Sequence, residues 1–119
     1  MSESIVQKKI AKLIQKEISE ILQRGEYIVG GLITVSVVRM TADLGLAKIY
    51  ITVFPDALLN STVEELNKRD WEVRKKLGSR IRNKMRKMPE IRFYVDDSFI
   101  EAKKIDQLLT DIDKEDETQ

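Results

Sequence analysis

The chain has 119 residues, 42% of them hydrophobic, which suits one domain with one core of ordinary size. It contains no cysteine and no histidine, which excludes disulfides, zinc sites of the usual ligand types and a catalytic imidazole. The formal net charge is only +1, but residues 68–92 carry eleven basic and three acidic side chains, and residues 93–119 carry three and nine. A basic middle segment and an acidic end favour a polyanionic partner.

The first predicted element is an amphipathic helix between Ser4 and Gly25. Ser4 and Gln7 have capping-box spacing, apolar residues recur at helical intervals, and Gly25 offers a left-handed stop. The helix carries four lysines in its first half, Lys8, Lys9, Lys12 and Lys16, which predict a solvated face; a contribution to a basic patch is the alternative. No apolar run here or elsewhere is long enough to span a bilayer, so we expect a cytoplasmic protein with no membrane contact.

Three segments alternate in the manner of β-strands. Residues 32–39 and 46–54 are joined by a link too short for a crossover helix, which predicts an antiparallel hairpin. Pro55 ends the second strand. Residues 91–95 follow Pro89 directly and are rich in β-branched and aromatic residues, which predicts the third strand.

The segment between the second and third strands is predicted to be helical. Ser61 and Thr62 begin two overlapping capping boxes, so the helical region is expected to start within a residue of them. A helical wheel continued to Met88 places an apolar arc opposite a cationic face, and Pro89 ends the helix. The apolar arc contains Leu66, Val73, Leu77, Ile81, Met85 and Met88.

Two cations contradict a straight helix through this segment. Arg74 and Lys84 would project into the apolar arc, so either they extend past it to solvent or the helix is broken. We predict an interruption near residues 67–71, where the basic residues begin, although neither proline nor glycine forces one there.

The end of the chain is predicted to be a short helix and an acidic tail. Ser98 and Glu101 would cap this helix, which carries Phe99, Ile105, Leu108, Leu109 and Ile112. We expect one domain over residues 1–112 and a disordered tail over residues 113–119. The order α-β-β-α-α-β predicts an α+β sandwich of two layers, the order of type II KH modules, with a short C-terminal helix.

The basic segment is the strongest functional signal in the sequence. Basic runs are commonly just solvated faces, but a net charge of +8 over residues 68–92 favours phosphate binding. Trp71 is the only tryptophan, and we expect its ring to have a core or capping role. The alternative is that the ring stacks on an exposed base. This signal does not separate DNA from RNA. The candidate nucleic-acid-binding residues are Lys68, Arg69, Trp71, Lys75, Lys76, Arg80, Arg82, Arg86 and Lys87.

Nothing in the sequence favours an enzyme. No glycine lies in P-loop or dinucleotide-binding spacing, and Asp96 and Asp97 would point to opposite faces of a strand. We therefore predict no catalytic residue, no metal site and no cofactor.

Five segments together resemble the ribosome-binding factor A family, over nearly the whole chain apart from the acidic tail. They are residues 7–11, 42–54, 77–82, 88–98 and 105–109. The resemblance implies a KH-like fold and binding to the 16S rRNA of the small ribosomal subunit near the decoding centre. It also implies a role in late maturation of the 5′ end, support of growth in the cold, and no catalysis.

Two further features of the family concern the nucleic-acid-binding loop and the kink between the middle helices. Ordinary KH domains clamp nucleic acid with a G-x-x-G loop, and this sequence contains none. The family usually has an Ala-x-Gly kink between its middle helices, where this chain has Arg69-Asp70-Trp71. We expect a monomer. Two alternatives remain: a KH-like RNA- or DNA-binding module that acts away from the ribosome, and an adaptor whose basic helix binds an acidic protein.

Overall fold

The computed structural model describes residues 3–96 and residue 98. The elements are α1 (Ile5–Arg24), β1 (Leu32–Met40), β2 (Leu46–Phe54), α2 (Leu59–Lys68), α3 (Asp70–Ile81) and β3 (Glu90–Val95). The predicted order α-β-β-α-α-β is confirmed. The remainder of the predicted final helix and the acidic tail lie outside the described residues. No helix in the described part is both long enough and apolar enough to cross a membrane.

The three strands form one sheet in the order β1-β2-β3. β1 and β2 are antiparallel, as the hairpin prediction requires, and β3 runs parallel to β2. Alternate residues of β2 face the helices and are at most 4% exposed: Ala47, Ile49, Ile51 and Val53. The helices therefore cover one face of the sheet, which makes the α+β sandwich of two layers that was predicted.

A β-bulge interrupts β1 at Ser36. The pairing with β2 shifts between Val35 and Val37, so that one extra residue lies in β1. Before the bulge the odd-numbered residues face the core, and after it Val38 and Met40 do. The bulge therefore turns Arg39 outward, where an unbroken alternation would have buried it.

Helix α1 begins as predicted and ends differently. The Ser4 side chain accepts from the Gln7 backbone and the Gln7 side chain accepts from the Ser4 backbone, which is the predicted capping box. The prediction of a left-handed stop was wrong, because Gly25 has φ −88° and ψ 165°, an extended conformation. Glycine is needed there because a Cβ would overlap the ring of Tyr27.

Helix α2 begins earlier than the capping boxes predicted. It starts at Leu59, after a 3-10 turn over Asp56–Leu58, so the prediction of a start at Ser61 or Thr62 was wrong. The Ser61 hydroxyl donates to the Leu58 carbonyl at 3.1 Å instead of capping a helix. The earlier start is favoured because it places Leu59 on the buried face, one turn before Thr62.

The predicted interruption between the middle helices is confirmed. Arg69, with φ −108° and ψ 19°, separates α2 from α3. The Asn67 side chain holds the end of α2 against β3, because it accepts from the Phe93 N–H at 2.8 Å and donates to the Phe93 carbonyl at 3.0 Å.

Helix α3 ends at Ile81, and the prediction that it continues to Met88 was wrong. The chain must return to the sheet, where the Glu90 N–H donates to the Gly45 carbonyl at 2.9 Å. Seven further helical residues would have carried it about 10 Å farther along the axis. Of the predicted cationic helix face, Arg82, Arg86 and Lys87 consequently lie beyond the helix.

Candidate nucleic-acid interface

One flank of α3 faces α1, and Arg80 on this flank is bound to two carboxylates of α1. Its Nη1 donates to Glu17 Oε2 at 3.0 Å and to Glu20 Oε2 at 2.6 Å. These hydrogen bonds, above all the one that Arg80 donates to Glu17, raise the pKa of Arg80. The hydrogen bond from Arg80 in turn holds the pKa of Glu20 below its ordinary value. A phosphate that approached Arg80 would have to compete with both carboxylates.

Arg69 and Lys76 lie on the same flank, around the ring of the buried Tyr27. The Arg69 guanidinium lies 4.4 Å from the ring centroid and donates to both carboxylate oxygens of Glu72, at 3.1 and 3.2 Å. Lys76 Nζ donates to the Tyr27 hydroxyl at 2.9 Å. The bond with Glu72 raises the pKa of Arg69, and that with the Tyr27 hydroxyl raises the pKa of Lys76. We call Arg69, Lys76 and Arg80 the paired flank, since the protein itself satisfies all three cations.

The other flank of α3 carries Trp71, Lys75, Gly78 and, just after the helix, Arg82. Spacings of four, three and four residues place these positions in one row. Trp71 is 65% exposed, so the prediction of a core role for it was wrong. Asp70, Trp71, Lys75 and Gly78 form one wall of an open groove of about 390 Å³.

The opposite wall of this groove is formed by the segment that leads into β3. Arg74, Met88 and Glu90 line it. Arg74 reaches there because its Nε donates to the Pro89 carbonyl at 2.9 Å and its Nη2 to the Met88 carbonyl at 3.1 Å. Because of the kink, Arg74 does not point into the apolar core. Its guanidinium instead holds the loop before β3 in place through the Met88 and Pro89 carbonyls. We call the groove between these two walls the α3 groove.

Exposed cations lie on the chain segments next to the elements that form the α3 groove. Lys68 is exposed at the end of α2, and four further cations are exposed at the end of α3 and in the loop that follows: Arg82, Lys84, Arg86 and Lys87. Within residues 3–96 none of them forms an ion pair, and neither does Lys75. Sequence reasoning missed Lys84 because the straight wheel placed it in the core. The position of Lys84 in the apolar arc of a straight helix, which predicted the kink, could also have shown that its side chain is exposed.

The candidate residues therefore separate into two groups. The structure brings Trp71 and Lys75 together in the α3 groove, with Lys68, Arg82, Arg86 and Lys87 exposed on neighbouring segments. It places the paired flank on the side of α3 that packs against α1. An exposed indole beside unpaired cations suits a ligand with both phosphates and unstacked bases.

The fold and the groove define a KH-like α+β domain with no G-x-x-G loop, whose interhelical corner exposes an aromatic residue and cations without ion pairs in the described residues. The family model described as ribosome-binding factor A matches residues 6–109, and the chain belongs to that family. The resemblance found in the sequence is thereby confirmed.

Relatives and solved structures agree with this assignment. Ribosome-binding factor A of Chlorobium phaeobacteroides is 41% identical over 96% of this chain and 99% of its own length. The NMR structure of a Thermotoga maritima protein assigned to this family covers 79% of this chain and 90% of that chain, with a TM-score of 0.63 and 26% identity. The Thermus thermophilus factor, as fitted into the map of its 30S complex, covers 73% and 91%, with a TM-score of 0.57 and 22% identity.

Proposed function

We propose that this protein is an assembly factor of the small ribosomal subunit that binds 16S rRNA and assists late maturation, including processing of the 5′ end. It acts by binding and not by catalysis, as a cytoplasmic monomer, and it matters most for growth in the cold. Membership of the family supports the partner, because the Thermus thermophilus relative was fitted into a map of its complex with the 30S subunit.

The observation that carries the proposal is the α3 groove, in which an exposed Trp71 and an unpaired Lys75 lie beside a series of exposed cations. Cations that no carboxylate neutralises can release condensed counterions when they contact RNA phosphates, which makes binding favourable and dependent on salt. If about five phosphate contacts form, the log-log salt slope is roughly −3.5 for single strands and −4.5 for a duplex.

The location of these groups favours recognition of folded RNA with an accessible unpaired base. The cations belong to the end of α2, to α3 and to the following loop, so they span several phosphates. The single indole offers one stacking surface, which tolerates any base. Such a surface holds an RNA conformation without altering a covalent bond.

The test compares two variants of equal charge change in their binding to purified 30S subunits. Lys75→Glu with Arg82→Glu reverses two exposed cations at the α3 groove, and Lys9→Glu with Lys12→Glu reverses two exposed cations on α1. We expect at least a tenfold loss of affinity for the first pair and less than a threefold loss for the second. Equal losses would show that only net charge matters, and failure of the unaltered protein to bind would refute the proposed function.

A further inference from the structure

The outer face of the sheet, opposite the helices, carries a row of three cations. Arg39 in β1 is paired with Lys48 in β2, and Lys48 is paired with Arg92 in β3. Neighbouring strands lie about 4.8 Å apart, so the row spans roughly 10 Å of backbone. The α3 groove uses none of these residues.

The row exists because of the β-bulge at Ser36. Without the extra residue, Arg39 would point toward the helices, and Lys48 would have no cationic neighbour on β1. The shifted strand is held in place by the Ser36 hydroxyl, which donates to Asp96 at the end of β3 and lies 3.1 Å from the Tyr50 carbonyl. Bulges commonly redirect a side chain toward a functional surface.

The row is unfavourable for the isolated protein. Like charges directly opposite each other on neighbouring strands repel. The one carboxylate near Arg39 is Glu3, at 3.7 Å, and the Arg39 side chain remains 61% exposed. Within residues 3–96 neither Lys48 nor Arg92 forms an ion pair. Within the described residues the contact with Glu3 offsets only the Arg39 part of this repulsion, and an external anion would offset the rest.

The next row of the sheet carries an aromatic pair. Tyr50 and Tyr94 are paired across β2 and β3, and their rings stack with centroids 5.4 Å apart. Both are partly exposed on the same face as the cations. Partly exposed aromatic rings beside cations on an open sheet suit a single RNA strand, whose phosphates contact the cations while its unstacked bases contact the rings.

The cation row is continuous with the α3 groove. Glu90, the first residue of β3, lines the groove, and its carboxylate lies 3.7 Å from Arg74, which partly neutralises it. Arg92 lies two residues farther along the same strand and on the same side of it. An RNA strand that leaves the groove along β3 therefore reaches the outer face of the sheet.

We propose that the outer sheet face is a second RNA-contact surface, in which Arg39, Lys48 and Arg92 bind the phosphates of a single RNA strand beside the Tyr50–Tyr94 pair. This proposal deepens the proposed function and rests on it for the origin of the RNA.

The first test uses a single-stranded oligonucleotide of twelve uridines as the probe. The variant Arg39→Gln, Lys48→Gln, Arg92→Gln removes the row, and the control Lys8→Gln, Lys9→Gln, Lys12→Gln removes three exposed cations of α1. We expect the row variant to lose at least tenfold in affinity, with the salt slope smaller in magnitude by about 2, the value for three phosphate contacts with a single strand. The control should change affinity less than threefold.

A second test needs no substitution. The unaltered protein is irradiated with an oligonucleotide that contains 4-thiouridine, and the crosslinked peptides are identified by mass spectrometry. Crosslinks at Tyr50 or Tyr94 support the proposal, and crosslinks confined to the α3 groove overturn it.

The remaining outcomes separate this proposal from its alternatives. Unchanged oligonucleotide affinity and slope in the row variant would overturn it. If the row variant loses 30S binding and keeps its oligonucleotide binding, the sheet face contacts a ribosomal protein. If the unaltered protein is a dimer and only the row variant is a monomer, the sheet face contacts a second copy of this chain. Either result overturns the proposal. If the unaltered protein does not bind 30S subunits, the proposed function fails, and the oligonucleotide result still decides whether this surface contacts RNA.

Discussion

Replacement of Trp71 by alanine separates the contribution of the indole to RNA binding from its contribution to folding. The residue is 65% exposed. About a third of its roughly 250 Å² is therefore covered, and at about 25 cal/mol per Å² its loss costs at most about 2 kcal/mol of stability. A fully buried tryptophan would cost about 3–5 kcal/mol.

The same substitution should reduce RNA affinity by about 1–3 kcal/mol if the indole stacks on a base, which is about 5- to 150-fold. Urea unfolding measures the stability, and titration of the folded protein with 30S subunits measures the affinity. Because Trp71 is the only tryptophan, its fluorescence also reports directly on the site, and RNA should quench it. Trp71→Phe, which keeps an aromatic face, should lose less affinity than Trp71→Ala.

Two results would contradict an exposed indole that stacks on RNA. Unchanged RNA affinity in Trp71→Ala, with no quenching in the unaltered protein, would show that the indole does not contact RNA. A stability loss above about 3 kcal/mol would show that the ring is packed, contrary to its exposure.

Three further predictions concern contacts that hold the site. Glu17→Gln with Glu20→Gln leaves Arg80 without its carboxylate partners, so affinity for RNA should rise several-fold in a filter-binding assay. Arg80→Gln should return the pKa of Glu20 toward its ordinary 4.5, measured by NMR titration. Since that pKa is lowered in the folded protein, the stability deficit of Arg80→Gln should be present above pH 4.5 and disappear on acidification. Asn67→Ala removes two hydrogen bonds to the Phe93 backbone and should cost about 2–3 kcal/mol in urea unfolding.

The strands and the kink could be predicted because their signals are local. Alternation located all three strands to within a residue at each end. The conflict of Arg74 and Lys84 with the apolar arc indicated an interruption, and the family's kink at the corresponding position located it between α2 and α3. The end of α3 could not be predicted in this way, because the chain turns after Ile81 to reach the sheet. Nothing in the local sequence before Pro89 requires that turn.

The two groups of cations could not be separated from the sequence, because the partners are distant in the chain. Arg80 is neutralised by carboxylates 60 and 63 positions earlier. The row of Arg39, Lys48 and Arg92 depends on the register of three strands and on a bulge. The local sequence does not mark that bulge, because strict alternation would bury Val37 and the bulge buries Val38, and either valine suits the core.

The distribution of the protein across a sucrose gradient of cell lysate at low salt tests most directly whether it is an assembly factor of the small subunit. Assembly factors bind their substrate before maturation is complete, so we predict that the protein travels with free small subunits and is absent from mature 70S ribosomes. Raising the salt should release it, because phosphate contacts dominate its binding. Recovery at the top of the gradient, or equal amounts on small subunits and on 70S ribosomes, would contradict the central claim.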